Sequence, residues 1–480
     1  MTGERLSHLF GAVKENHMAD DSLQQRLETG VGFREPPIRQ IVRPFQEFFQ
    51  IEASSGIVLI AMTVIALLWA NSPWAERYFQ LWETEAGIVF GQFRLEMHLG
   101  HWINDGLMAI FFFLVGLEIK REILVGELST PKKALLPIAA AVGGMIFPAV
   151  IYLAINAGTR GQAGWGIPMA TDIAFALGVL ALLGSRVPSS LKIFLAALAI
   201  VDDLGAVLVI AVFYTADLAA SWLVVGATVF ALMLLLNRLG VRHPAPYGLL
   251  GVVLWFAFLE SGVHATIAGV LAAMAIPARS IIDVDQFTDW TGNVLHEFRT
   301  QAIDTDPLPG KQHITGQRGL LQALETAIHH AESPLQRLEH ALELPVAFVI
   351  MPIFALANAG VDFLGHFFDD LFNPVSLGIV FGLVVGKQIG ILLFSFLAVR
   401  LRLAELPAGV TWRHIWGVAW LGGIGFTMAL FIDGLAFGGS PLLDTAKIGI
   451  LAASIISGVV GYLILRSTPP AAEEEVVTAG

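Results

Sequence analysis

The sequence has no cysteine and little charge: Asp, Glu, Lys and Arg together make up 14% of its 480 residues. The first absence excludes disulfide scaffolds, thiolate metal sites and thiol redox chemistry. The second excludes a water-soluble globule, because soluble domains carry about 25% charged residues. Basic charge is scarcer than acidic, with 28 Lys and Arg against 40 Asp and Glu and a net charge of −12. No basic stripe is present, so no nucleic-acid partner is expected. No G-x-x-x-x-G-K-[ST] run occurs, so no nucleotide is expected and ATP-driven transport is set aside. Disorder is excluded by a hydrophobic content of 55%.

What the chain does have is long apolar sequence. Runs occupy about residues 52–71, 103–123, 134–156, 166–182, 191–213, 219–237, 246–259, 263–277, 343–363, 376–399, 414–435 and 446–465. They are continuous rather than alternating, which excludes barrel strands. Twelve spans of about 20 residues would use roughly 240 positions, within what this composition supplies. The seventh and eighth runs are short and separated only by Glu260, Ser261 and Gly262, which reads as two short helices joined by a tight turn. The expected fold is an all-α integral membrane protein of about twelve transmembrane helices, with membrane lipid as its surroundings.

With twelve spans, both chain ends lie on one side. That side collects most of the Lys and Arg, and the other holds only Arg77, Arg94, Arg160 and Lys447. The positive-inside rule then makes both ends cytoplasmic. The organisation reads as a polar cytoplasmic tail over 1–46, spans 1–8 over 47–279, a long cytoplasmic loop over 280–333, spans 9–12 over 334–466 and a Pro/Ala/Glu-rich tail over 467–480. Residues 1–40 have no apolar core and are not a signal peptide. Within the loop, 320–328 has leucines at helical spacing and is expected on the membrane surface. Ser333, Pro334 and Gln336 give a capping-box start for the ninth span. Residues 88–97 alternate around Gly91 and Gln92, as a small β-hairpin with a primed turn does.

Charges inside the spans carry the chemistry. Asp172, Asp202, Asp203 and Lys387 lie within apolar runs. Each costs about 2.5–3.5 kcal/mol at a span centre on insertion scales, so each must pair, titrate or line water. Asp172 follows Pro168 and Thr171, a polar cluster beside a helix breaker. Gly423, Gly425 and Thr427 form a second candidate break. Interruptions in both halves of a chain point to inverted repeats, here spans 3–5 and 10–12, and to a midplane site where two discontinuous helices cross. Four half-helix ends would meet there, and Asp172 and Lys387 have the signs to balance them.

Adjacent helical residues point about 100° apart, so Asp202 and Asp203 cannot share one task. One can face an ion path while the other faces Lys387, the only basic residue deep in a span. A small hard cation takes oxygen ligands. A carboxylate can hold that cation or a proton but not both, and alternate opening to the two sides then makes exchange. The leading reading is thus a secondary transporter, not an enzyme, that exchanges a hard alkali cation for protons and needs no cofactor. A sodium-coupled solute symporter, a membrane sensor and an intramembrane enzyme are the alternatives. His296 and Glu297 begin an H-E-x-x-H spacing, but Thr300 occupies the second histidine position, which excludes that zinc protease.

These motifs resemble the NhaA-type sodium/proton antiporters of bacterial inner membranes. The likeness runs from about residue 49 to 466 outside the long loop. It is carried by W-I-N-D-G-L-M-A, V-G-L-E-I-K-R-E, A-T-D-I-A-F-A-L-G-V-L-A-L-L-G-S-R-V-P, D-D-L-G-A, S-G-V-H-A-T-I-A-G, F-A-L-A-N-A-G and G-I-G-F-T-M. The resemblance implies an inner-membrane, multi-pass exchanger serving pH and sodium homeostasis, with sodium at Asp203 and Asp202 and Asp203 as its more direct ligand. It implies that Lys387 pairs with Asp202 when the cation is absent and carries a proton, and that Thr171 and Asp172 lie in the unwound crossing. Glu118, Arg121, Glu122, Arg337, Glu339 and His340 match a cytoplasmic pH-response cluster, and His264 matches a further residue tied to pH. The 88–97 hairpin resembles the family's homodimer contact. Three features depart from the pattern: Glu343 stands where the family has a second histidine one turn after His340, the 280–333 loop is long, and the N-terminal tail is extra. All three bear on regulation rather than on the transport site.

Overall fold

A computed structural model describes residues 54–91, 93–215, 218–280, 288, 290–292, 294, 332–363 and 367–469. All but Ser54 belong to the unit Ser55–Gly480. The expected 1–46 tail, nearly all of the 280–333 loop with its 320–328 segment, Gln92 and the end of the C-terminal tail from 470 lie outside the described residues.

The first helix, α1 (Ser54–Ala70), is apolar throughout. It ends at Asn71 and Ser72 and turns by 113° into α2 (Ala75–Glu83). Tyr78 pins α2, donating its hydroxyl to Leu356 O at 2.7 Å and accepting from Gly360 N at 3.1 Å. Strands β1 (Glu85–Phe90) and β2 (Phe93–His98) form an antiparallel hairpin with Phe90 opposite Phe93. The two-residue connection needs a left-handed first residue, and Gly91 supplies it at φ 63°. The hairpin is longer than the expected 88–97, reaching from Glu85 to His98.

The chain then enters helical structure. A π turn (Trp102–Leu107) leads into α3 (Met108–Leu124). Next come α4 (Pro131–Asn156), a 3-10 segment (Arg160–Met169), α5 (Ile173–Ala181), α6 (Ser189–Phe213) and α7 (Ala220–Arg238). The short pair follows as α8 (Pro244–Leu259) and α9 (Ala265–Ala275). Beyond the long loop, α10 (Pro334–Pro345) starts in the capping box read from sequence: Ser333 Oγ accepts from Gln336 N, and Gln336 Oε1 accepts from Ser333 N. It continues through a π turn into α11 (Met351–Asn358). The remaining helices are α12 (Phe367–Leu371), α13 (Pro374–Phe381), α14 (Lys387–Arg400), α15 (Trp412–Gly422), α16 (Phe426–Phe437) and α17 (Leu442–Ser467).

Among the described residues, six helices are long and apolar enough to cross a membrane, or up to nine if each of three bent pairs is one span. The outward faces are apolar: Leu68, Val212, Val224, Leu249 and Val252 are exposed, as lipid-facing side chains are.

Lipid tails give helices no hydrophobic reason to associate, so close backbone contact takes over. Gly382, Gly386 and Gly390 repeat every fourth residue along a π turn (Gly382–Gly386) and α14. This stripe lies against α4 and the 3-10 segment: a side chain at Gly382 would meet Pro168 and the Pro148 carbonyl, one at Gly386 would meet Pro148, and one at Gly390 would collide with the carbonyl of Gly143. Gly390→Ala is expected to cost about 1–3 kcal/mol through overpacking. It should lower the thermal midpoint of the detergent-purified protein. Gly248→Ala, whose new methyl group meets open space, should leave the midpoint unchanged or raise it.

Candidate ion site at two broken helices

Two chain breaks meet inside the bundle. The 3-10 segment and α5 are bent by 42° across an extended stretch at 170–172, and α15 and α16 are bent by 41° across residues 423–425. Breaking a helix in an apolar interior frees backbone groups that water cannot satisfy. Here each break satisfies the other. Asp172 N donates to Ile424 O at 2.7 Å, and Thr171 Oγ1 donates to Gly422 O at 2.8 Å. Ser454 of α17 caps the second break, its Oγ accepting from Phe426 N at 3.1 Å.

Asp172 is the N-cap of α5, where Oδ1 accepts from Phe175 N at 2.9 Å. Its Oδ2 reaches the start of the other half-helix, accepting from Thr427 N at 3.1 Å and Thr427 Oγ1 at 2.5 Å. One carboxylate thus faces the positive ends of two helices. Thr427 lies in the first turn of α16 rather than in the break itself, which Gly423 to Gly425 supply. Gly423 is required there, since a side chain would strike Leu383 O and Ser457 Oγ.

Lys387 opens α14 directly after its π turn, a local widening that occurs at functional sites. Its ammonium donates to Asp202 Oδ2 at 2.7 Å and to Thr171 Oγ1 at 3.0 Å. Among the described residues its partners are a carboxylate and a hydroxyl rather than the half-helix ends that its sign alone predicted. Lys387 and both aspartates of α6 are at most 1% exposed.

Asp203 is the exception among the four charges. Asp172 has three donors and Asp202 has Lys387. Asp203 has no ion pair among the described residues, and its Oδ1, like that of Asp202, is buried with no hydrogen-bond partner. The charges acting on it are Asp202, Asp172, Glu118 and Lys387, three of them negative. A buried carboxylate in that company calls for a positive charge. A proton or a small hard cation meets the demand equally, and that is the chemistry this arrangement can perform.

A second polar group closes one end of α3. Arg121 Nε lies 2.8 Å from Glu339 Oε1 of α10, and Arg121 Nη1 lies 2.9 Å from Glu122 Oε1. Glu122 Oε2 accepts from Glu127 N at 2.8 Å. Lys120 caps the C-terminal end of α9 through the carbonyls of Met274 and Ile276. Glu118 is one turn from Glu122 and interacts electrostatically with both Glu339 and Asp203. Arg337 and His340 lie on α10 with no ion pair among the described residues, and His340 is exposed. His264 is elsewhere, at the N-terminal end of α9, with Nε2 2.7 Å from Tyr214 O. The length of α9, about 16 Å at 1.5 Å per residue, separates it from the Arg121 group. Asp105 lies within the π turn Trp102–Leu107.

Sequence reasoning missed Ser454, Asp433 and the burial of Lys447. Lys447, counted with the outer-side loops, is only 9% exposed inside α17. The signal for Asp433 was the one that exposed Asp172: an acid inside an apolar run, here 414–435.

A sequence profile described as Na+/H+ antiporter 1 matches residues 46–465. The chain is 55% identical over 437 residues to a Na(+)/H(+) antiporter NhaA of Oleidesulfovibrio alaskensis, covering 90% of this chain and 95% of that protein. It is 49% identical to Na(+)/H(+) antiporter NhaA 1 of Saccharophagus degradans, covering 90% and 93%. It is 50% identical to a Na(+)/H(+) antiporter NhaA of Sulfurimonas denitrificans, covering 89% and 96%.

The mutual repair of the two breaks can be measured. Thr427→Val removes the hydroxyl donor to Asp172 while keeping the backbone N–H. A hydrogen bond to a charged group is worth about 1.5–3 kcal/mol, so the thermal midpoint in detergent should fall. Thr427→Ser should keep most of it, and equal midpoints for Val and Thr would contradict the bond's role.

Proposed function

The chain belongs to the Na+/H+ antiporter 1 family, and from that premise we propose how its residues carry out the exchange. It is a membrane transporter that exchanges sodium for protons, as its relatives' names state. The symporter alternative finds no support among them. The carrying observation is Asp203, a buried carboxylate with no ion pair among the described residues, beside the paired Lys387 and Asp202.

In this reading Asp203 is the direct ligand of the incoming sodium or lithium ion and Asp202 the second. The cation displaces the proton that Asp203 otherwise holds. Its arrival also weakens the claim of Lys387 on Asp202, so the lysine becomes free to give up a proton. Thr171 and Asp172 hold the crossing in register, so that it can rock as a unit and open the site to each side in turn. Pairs of unlike charge inside the protein are costly to break, which couples cation entry to proton departure.

Twelve spans follow if the three bent pairs, α3, α8 and α9 each count as one alongside the six long helices. Nearly equal bends of 42° and 41° in the third-to-fifth and tenth-to-twelfth spans support inverted repeats. Lys/Arg asymmetry supports cytoplasmic chain ends, and the family resemblance supports the bacterial inner membrane. The group of Glu118, Arg121, Glu122 and Glu339, with Arg337 and His340 nearby, then faces the cytoplasm and tunes activity with pH through Glu118, which interacts with Asp203. His264 acts at the opposite face. The hairpin of β1 and β2, with Val89 exposed, is the proposed homodimer contact.

Everted vesicles carrying a pH gradient, read with an internal dye, test the reading. Sodium and lithium, but not choline, should collapse the gradient in the wild type. Asp203→Asn should reduce the response to background at unchanged protein abundance, and a normal response in that variant would refute the assignment. Glu339→Gln should shift the pH dependence of the response while leaving its maximum largely intact. An unchanged profile would remove the Arg121 group from regulation.

A further inference from the structure

Asp433 is fully buried on α16, and neither of its carboxylate oxygens has a hydrogen-bond partner among the described residues. Buried carboxylates are almost always bonded, and Asp433 is as unpartnered as Asp203. It sits six residues beyond Thr427, about 9 Å along the helix, on the half of α16 that runs from the crossing toward the face proposed as external.

Its surroundings offer oxygen. Lys447 and Asp444 of α17 are the charged side chains that act on it. The hydroxyls of Tyr152 and Tyr214 both interact with its charge. They are held at the 3-10 segment, Tyr152 donating to Gly161 O at 2.6 Å and Tyr214 to Ala163 O at 2.7 Å. Phe437, one turn beyond Asp433, packs with Tyr152 around Gly164, so the 3-10 segment lies against this part of α16. Two more buried oxygens on neighbouring elements are unpartnered: Oδ1 of Asn156, one turn after Tyr152, and Oγ of Ser376, at Gly449 of α17. Lys447 is not spent on a strong pair, with Asp444 at 3.4 Å and Gly360 O at 3.4 Å.

We propose that Asp433 is a second ion station on the external half of the pathway, where a sodium or lithium ion, or a proton in its absence, rests between the outer face and Asp203. The ligand class is a small hard cation, because such ions take oxygen ligands and a buried carboxylate with two tyrosine hydroxyls acting on it supplies that chemistry. Lys447, which acts on Asp433 electrostatically without bonding it, competes with the incoming ion for its charge. This inference rests on the exchange reading above.

Sidedness is the test. Exchange is measured with the full-length protein in everted vesicles, which present the cytoplasmic face, and in right-side-out vesicles, which present the external face. Asp433→Asn should raise the half-saturating sodium concentration at the external face by about tenfold or more, the effect of losing a charged ligand. The cytoplasmic-face value should stay within about twofold, a change too small to reflect a lost ligand. Asp433→Glu should recover most of the external affinity. Lys447→Gln acts with opposite sign: without its competitor, the external half-saturating concentration should fall severalfold. Equal changes at both faces, or none at either face for both Asp433→Asn and Lys447→Gln, would overturn the station. If Asp433→Asn fails to accumulate, an unmoved external value in Lys447→Gln overturns it alone. A wild type without cation-dependent proton movement would instead overturn the exchange reading, and this inference with it.

Discussion

A charge buried in a membrane protein must be paired, neutralised or wetted, and the centre of this molecule is organised around one charge left over. Asp172 is held by donors from two half-helices, and Asp202 is held by Lys387. Asp203, one residue away on the same helix, receives neither. Helical geometry makes the difference: adjacent side chains diverge by about 100°, so α6 can present one carboxylate to the lysine and leave the other without one. The site is therefore one positive charge short, and its cargo supplies that charge.

That arrangement requires helices to come closer than large side chains permit. Gly390 against Gly143, and Gly386 against Pro148, let α14 approach α4 closely. The stem of Lys387 then runs beside Gly144, and its ammonium reaches Asp202. The breaks contribute in the same way. An intact helix through residues 170–172 would use its own backbone groups internally, leaving none to join α15 and α16. Because each break is repaired by the other, the two broken helices are bound as one piece, which suits a unit that moves together.

Much of this was legible in the sequence because lipid makes charge conspicuous. Asp172, Asp202, Asp203 and Lys387 stood out against apolar runs, and Pro168 and the glycines at 422–425 marked the breaks. Ser333 and Gln336 announced the start of α10, and Gly91 the hairpin turn. Residue patterns could not say which aspartate meets the lysine, since that depends on how α6 is rotated in the bundle; only the family resemblance pointed to Asp202. Nor could they show that Arg121 reaches Glu339, a contact between segments 218 residues apart. Asp433 is legible as an acid inside the apolar run 414–435, but not as a buried one. Burial by the 3-10 segment and α17 changes its meaning, and burial is a tertiary property.

The central claim is that one carboxylate holds either a proton or a sodium ion. Calorimetric titration of the purified protein with sodium, repeated across pH in buffers of different ionisation enthalpy, tests it directly. The account predicts that each bound ion releases at least one proton, from Asp203 and then from Lys387, and that affinity weakens steadily as pH falls, as linkage requires for two ligands sharing one group. Sodium binding with the same affinity at every pH and no proton release would contradict it.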